Sequence, residues 1–341
     1  MLLNFLRKLF EKCFFNISKS QTECLKNHIK ESVQASFNNY ENETRKVKVN
    51  DIPMSHLNIK ELANLTRVEL ESNCRNYSQT VYLGDSKILC RVLAKYICYV
   101  EAQDSSLAPH LCLNGYWESW ITQAMISLLQ PGFYCLDIGA NYGYYSLIMA
   151  DIVGESGHVL AVEPNPKLSR LLAKNLNMNG FNHYFNRNVK ISEKAVADTI
   201  GQKVSLVVPM IPEGDLWGSA TICGNSEITE GLSFDVQTIT IDELTKDYPR
   251  VNFIKIDAEG AEEAIWRGMQ QTIEKNSDIT IILEFCCTRN YDPKIFLEDI
   301  QSKGFLLQYI DYDAQIKPLS VEECLSGRIG THWDLILQRK S

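Results

Sequence analysis

The chain has 341 residues, a formal charge of −8, and 45% apolar, 22% charged and 10% aromatic side chains. This composition excludes disordered, collagen-like and coiled-coil classes, and the length suffices for a full core without metals or disulfides. Net negative charge argues against nucleic-acid partners, whose binding runs on clustered Lys and Arg.

Charge is unevenly spread. Residues 1–110 carry a net +3 and residues 111–341 a net −11, which suggests two parts with different jobs. We expect a mostly helical, partly flexible region over 1–110 and a separate domain over 111–341.

At the N-terminus, Leu2, Leu3, Phe5, Leu6, Leu9, Phe10, Cys13 and Phe14 recur at helical spacing. Arg7, Lys8, Glu11 and Lys12 interrupt the run, unlike the unbroken apolar stretch of a signal peptide. The spacing predicts an amphipathic helix, packed on its own protein or on a protein partner. A second use is attachment to an anionic membrane surface, which Arg7, Lys8 and Lys12 suit. No run reaches the ~18–20 apolar residues of a membrane span.

Residues 16–60 are polar and read as a connector. The N-x-[ST] triplets at Asn16, Asn42, Asn64 and Asn76 follow from Asn-rich sequence. Residues 60–110 look more regular, with a helical apolar run at Leu89–Val100. The 11 cysteines are odd in number and form no CxxC pair. Cys90, Cys98 and Cys135 sit in apolar runs and read as buried free thiols, and the adjacent Cys286 and Cys287 as structural. The compartment implied is a reducing cytosol, with peripheral attachment through the N-terminal helix.

From about residue 115, short apolar runs alternate with helical ones, the pattern of a parallel sheet built from βαβ units. Expected strands are Phe133–Ile138, His158–Glu163, Val189–Val196, Asn252–Asp257, Ile279–Phe285, Phe305–Ile310 and Trp333–Gln338. Expected helices are Gly143–Ile152, Pro166–Met178, Glu259–Ile273 and Pro293–Lys303. The fold class is α/β, a doubly wound sheet with helices on both faces. In such sheets ligands bind at the carboxyl ends of the strands.

The string Asp137-Ile-Gly139-Ala-Asn141-Tyr-Gly143 follows one apolar strand and precedes a helix, so it forms a glycine turn that backbone can share closely with a ligand. It is not GxGxxG, since Asn141 fills the second glycine position. Glu163 ends the next strand, 24 residues after Gly139. A carboxylate near that spacing can accept hydrogen bonds from both ribose hydroxyls. Ala195 and Val196 fall where an adenine would lie. Asp257 ends a further strand, and Glu259-Gly260 opens the helix after it. Such carboxylates can act as base, metal ligand or cation partner, or merely suit the helix dipole.

DIGANYGYYSL at 137–147, VEPNP at 162–166, AVADTIG at 195–201, TIDEL at 240–244 and IKIDAEGAE at 254–262 stand in order. With them the chain from about 115 to 338 resembles the FkbM family of S-adenosylmethionine-dependent methyltransferases. The resemblance implies a class I Rossmann-like fold. By it, Asp137, Gly139, Asn141 and Gly143 would hold the methionine half of the cofactor, Glu163 the ribose, and Ala195 and Val196 the adenine. Gly115-Tyr-Trp117-Glu118 matches an upstream family segment. Glu118 would there reach the cofactor or start a helix.

O-methylation of a sugar, a polysaccharide or a small hydroxylated metabolite is the activity implied. An oxygen acceptor must lose its proton, and candidates for the base are Asp257, Glu259, Glu284 and His332. No metal is expected, the pair Asp257 and Glu284 being a minor alternative. The Gly- and Ser-rich segment 209–234 reads as a long loop over the site, in which Trp217 would stack on a sugar, shield the methyl or serve as a plain core anchor. Two other readings are a non-catalytic partner module that binds S-adenosylmethionine and, further off, a nucleotide-dependent oxidoreductase.

Overall fold

The computed structural model describes residues 58–181, 188–211, 214–215, 221–223, 231–327 and 332–339. The amphipathic helix near the N-terminus, most of the 16–60 connector and Trp217 lie outside the described residues. No helix among the described residues is long and apolar enough to cross a membrane.

A 3-10 turn (Ile59–Asn64) leads into α1 (Arg67–Tyr77), which opens with a capping box between Thr66 and Glu69. Then come β1 (Thr80–Gly84), β2 (Lys87–Val92) and β3 (Tyr96–Glu101), an antiparallel sheet. The expected helical run at Leu89–Val100 is therefore two strands. Cys90 and Val92, then Tyr96, Cys98 and Val100, are buried in alternation, and period two wins over a run short enough to suit either period. Helices α2 (Ala108–Asn114) and α3 (Ser119–Leu128) follow. Leu70, Cys74, Val92 and Leu111 share a core with Tyr142, Leu147 and Met149.

The main sheet begins at β4 (Tyr134–Ile138), buried from Cys135 onward. Next come α4 (Tyr144–Val153), β5 (His158–Val162), α5 (Pro166–Met178) and β6 (Val189–Ser192). Helix α5 shows why the expected elements form. Asn165 caps its N-terminus, Pro166 takes the first turn, and Leu168, Leu171, Leu172 and Leu176 bury one stripe.

The expected strand Val189–Val196 breaks in two. Its second part, β7 (Ala195–Val196), joins another sheet with β8 (Lys203–Ile211), β9 (Gly214–Asp215), β10 (Thr221–Cys223) and β11 (Gly231–Ile239). Residues 209–234 are thus not one long loop. β8 and β11 pair antiparallel from Lys203–Gln237 to Pro209–Gly231, with short strands between them.

After α6 (Ile241–Thr245), strand β12 (Phe253–Ile256) lies beside β4 in parallel. The expected helix Glu259–Ile273 divides into α7 (Glu262–Arg267) and α8 (Gln270–Lys275). The division falls at Gly268, where an added Cβ would lie 2.3 Å from the Ala197 carbonyl oxygen. Asp242 of the TIDEL string accepts from the Thr272 amide at 2.7 Å and caps α8. The chain ends with β13 (Thr280–Phe285), α9 (Pro293–Ser302), β14 (Phe305–Ile310), β15 (Ile316–Pro318), α10 (Val321–Leu325) and β16 (Trp333–Arg339).

The eight strands run β15-β14-β16-β13-β12-β4-β5-β6. β13, β12, β4, β5 and β6 are parallel, and β16 is antiparallel between β13 and β14. This is the doubly wound Rossmann-like α/β fold expected. Winding goes outward from β4 to β6 and resumes on the other side at β12, so the switch point lies between β4 and β12.

Candidate active site

A cavity of about 390 Å³ opens at that switch point. On one side it is lined by Gly139, Ala140, Asn141, Glu163, Ala195 and Val196. On the other are Glu118, Lys255, Asp257, Glu259, Glu284, Arg289 and His332. Its size suits one small ligand or a pair of small reactants.

The first side is shaped by backbone. Gly139 has φ +79°, and a Cβ there would lie 1.8 Å from the carbonyl oxygen of Asp257, so only glycine lets the two strand ends meet. The amides of Gly139 and Ala140 donate to the Val162 carbonyl, and the Asn141 amide donates to Glu163 Oε2 at 2.8 Å. The Asn165 amide donates to the other oxygen at 2.8 Å. Glu163 is thereby fixed, 5% exposed, with lone pairs left toward the cavity. Burial pushes its carboxyl up to about 7 against the pull of those two amides.

The buried Asn141 Oδ1 accepts no hydrogen bond among the described residues. Gly143, at φ +87°, starts α4 and leaves room for Leu172. Asp137 does not line the cavity. It is buried behind the turn and accepts from the Ser146 hydroxyl at 2.5 Å, which makes it a support of the turn.

The second side gathers charge. Lys255 is 3% exposed, donates to Asp257 Oδ2 at 2.9 Å and lies 4.4 Å above the Tyr145 ring. Burial disfavours its ammonium, yet Asp257, Glu118 and Asp137 together hold its pKa above the usual lysine value. A lysine inside the buried strand β12 was a legible signal in FIKID, because a buried charge must be paired.

Glu259 lies in a left-handed turn (φ +51°), and its Oε2 accepts from Arg289 at 2.9 Å. The helix after Asp257 starts only at Glu262, whose carboxylate accepts from the Ala258 and Gly260 amides. Glu284 Oε2 is 3.5 Å from Arg289 Nη2, and Oε1 is 3.6 Å from His332 Nδ1. Burial, with Asp257 and Glu259 adding repulsion, pushes the Glu284 carboxyl well up.

Asp257, Glu259, Glu284 and His332 thus converge as the sequence suggested. Glu118 precedes α3 without a side-chain cap bond, and its carboxylate lines the cavity and accepts from the Tyr145 hydroxyl at 2.7 Å. Its backbone is left-handed (φ 35°, ψ 66°). Lys255, Arg289 and Tyr145 also line this side and were not singled out from sequence, nor was Asp334, whose Oδ1 lies 3.9 Å from His332 Nε2. Asp334 stands inside the otherwise apolar run of β16, the same kind of signal as Lys255.

The sequence model of the methyltransferase FkbM domain matches residues 137–313, more than half of the chain. Two curated protein-L-isoaspartate O-methyltransferases are similar over shorter stretches. That of Methanothrix thermoacetophila is 35% identical over 94 residues, 25% of this chain and 41% of that protein. That of Aeropyrum pernix is 42% identical over 59 residues, 17% and 23% respectively. The chain spans less than half the length of these curated relatives. Among solved structures, an FkbM methyltransferase from Methylobacillus flagellatus aligns with a TM-score of 0.37 and 14% identity, covering 64% of this chain and 54% of that one. Aeropyrum pernix fibrillarin, in complex with natively bound S-adenosyl-L-methionine, aligns with 0.35 and 11%, covering 76% and 99%.

Proposed function

We propose that this chain, which belongs to the methyltransferase FkbM domain family, transfers a methyl group to a hydroxyl oxygen of a sugar, polysaccharide or small hydroxylated metabolite. Its cofactor is S-adenosylmethionine, which when bound supplies a methyl group activated by the sulfonium. The first side of the cavity fits that group. Glu163 has acceptor capacity for a ribose diol, Asn141 Oδ1 finds no donor among the described residues, and Ala195 and Val196 offer an apolar wall. Family membership removes the oxidoreductase alternative.

The observation that carries the reading is Asp257. Its carbonyl abuts the Gly139 turn, and its carboxylate faces the cavity with the buried Lys255 as counter-ion. Its position at the strand end, facing the cavity beside Lys255, makes Asp257 the group we assign to take the acceptor's proton. Lys255 positions it. The remaining carboxylates accept hydrogen bonds from further hydroxyls, and Trp117 gives the wall an aromatic face. The free thiols of Cys90, Cys98 and Cys135 support a reducing, cytosolic setting.

The test is transfer of labelled methyl from S-adenosylmethionine to a panel of monosaccharides, oligosaccharides and polyols. Asp257→Asn is expected to lower the rate on the order of 10²–10⁴-fold while S-adenosylhomocysteine still binds. Undiminished transfer by that variant contradicts the role of Asp257. Binding of the cofactor without transfer to any hydroxyl favours the non-catalytic module.

A further inference from the structure

On the charged side of the cavity, three side chains of metal-ligating type meet from separate places in the chain. They are Glu118 before α3, His332 just before β16, and Asp334 within β16. One donor atom of each lies within 4.8 Å of the other two. Opposite ligands of a six-coordinate first-row cation are roughly 4 Å apart, so a small contraction would bring all three into reach.

Two further observations ask for positive charge at this spot. Asp334 has a side chain only 6% exposed. Its Oδ2 accepts from Trp120 Nε1 at 3.0 Å, whereas no hydrogen bond to Oδ1 is made among the described residues. That oxygen faces His332 Nε2 at 3.9 Å. A carboxyl group with so little exposure gains from a further donor or cation. Moreover, Glu284 and Asp334 stand directly opposite each other across β13 and β16, with His332 Nδ1 3.6 Å from the first and Nε2 3.9 Å from the second, so the imidazole is held between two carboxyl groups.

We propose that Glu118, His332 and Asp334 form a binding site for a divalent transition-metal cation of the manganese–zinc class. The donor set of one imidazole and two carboxylates suits such ions better than calcium, which takes oxygen ligands alone. Glu284 Oε1, 3.6 Å from His332 Nδ1, is placed to orient the imidazole, as carboxylates do behind metal-bound histidines. Three protein ligands leave positions open toward the cavity, where neighbouring hydroxyls of an acceptor can enter. That last role rests on the methyl-transfer reading. The site itself does not.

The experiment uses the full chain, stripped with chelator, desalted and titrated with Mn²⁺. Free Mn²⁺ is followed by electron paramagnetic resonance, and Zn²⁺ serves as competitor. One saturable site displaced by Zn²⁺ is expected, with His332→Ala and Asp334→Asn each weakening it by at least roughly tenfold. His332 is one-third exposed, so its variant carries the test if Asp334→Asn fails to fold. S-adenosylhomocysteine binding, measured on the same samples, reports folding and the cofactor reading separately. No saturable binding by the wild type, or binding unchanged in His332→Ala, overturns the site.

Discussion

On the β4–β5 side of the cleft the chain presents mainly backbone, with one fixed carboxylate and an unsatisfied amide oxygen. On the β12–β13–β16 side it presents charged and titratable side chains drawn from positions 118 to 332. The first side holds a ligand by shape and a few fixed acceptors. The second has the groups that can move a proton or attract a cation. The difference also decides what each tolerates: a backbone cradle fails on added volume, and a charge cluster fails on removing one partner.

The charged side is broken most severely at Lys255. Lys255→Met keeps the bulk but strands Asp257 and the buried Asp137 beside it. Loss of one partner of a buried pair costs about 3–5 kcal/mol, to be read from urea unfolding. A variant as stable as wild type contradicts the pairing. On the other side, Gly139→Ala adds a left-handed strain of ~1 kcal/mol to an overpacking cost of ~1–3 kcal/mol. Denaturant unfolding is expected to show a loss of about 2–4 kcal/mol from these two terms together. Gly154→Ala, at φ +64° with nothing within 4 Å of its would-be Cβ, carries backbone strain without overpacking, so the Gly139 variant is expected to lose more.

A smaller effect concerns both sides at once. Glu163, Glu118 and Glu284 all have carboxyls raised by burial above the ordinary 4.5, Glu163 to about 7. A raised folded-state value means stability that is fully present below the unfolded value and lost as pH climbs through the folded one. The ligand-free protein is therefore expected to melt several degrees lower at pH 8 than at pH 5, roughly 2–4 °C for each kcal/mol lost. Glu163→Gln should flatten part of that slope. A melting temperature that rises from pH 5 to pH 8 contradicts it.

The two sides also differ in how far the sequence revealed them. The place of the backbone-lined side was legible because Gly139, Asn141, Gly143 and Glu163 lie in short contiguous strings at strand ends, where local turn chemistry fixes their position. Asp137 lies behind that turn rather than along the cavity, since the sequence does not say on which face of a turn a carboxylate lies. On the charged side, Asp257, Glu259, Glu284 and His332 were legible as strand-end groups. Lys255 and Asp334 stand inside apolar runs, where a charge signals a buried partner without naming it, and Arg289 acts through tertiary pairing with Glu259.

The same logic covers the fold. The parallel strands and α5 were readable from period and caps, whereas Leu89–Val100 suited either period. The division at Gly268 required knowing that Ala197 passes there.

The central claim is that one side of the cleft binds the cofactor and the other serves the acceptor. Isothermal titration of S-adenosylhomocysteine into wild type, Glu163→Ala and Asp257→Asn tests it directly. The account predicts binding by wild type and by Asp257→Asn, and a loss of roughly 10–100-fold in Glu163→Ala, as for a hydrogen bond to a charged group worth ~1.5–3 kcal/mol. Absence of binding by wild type, or equal loss in the two variants, would contradict it.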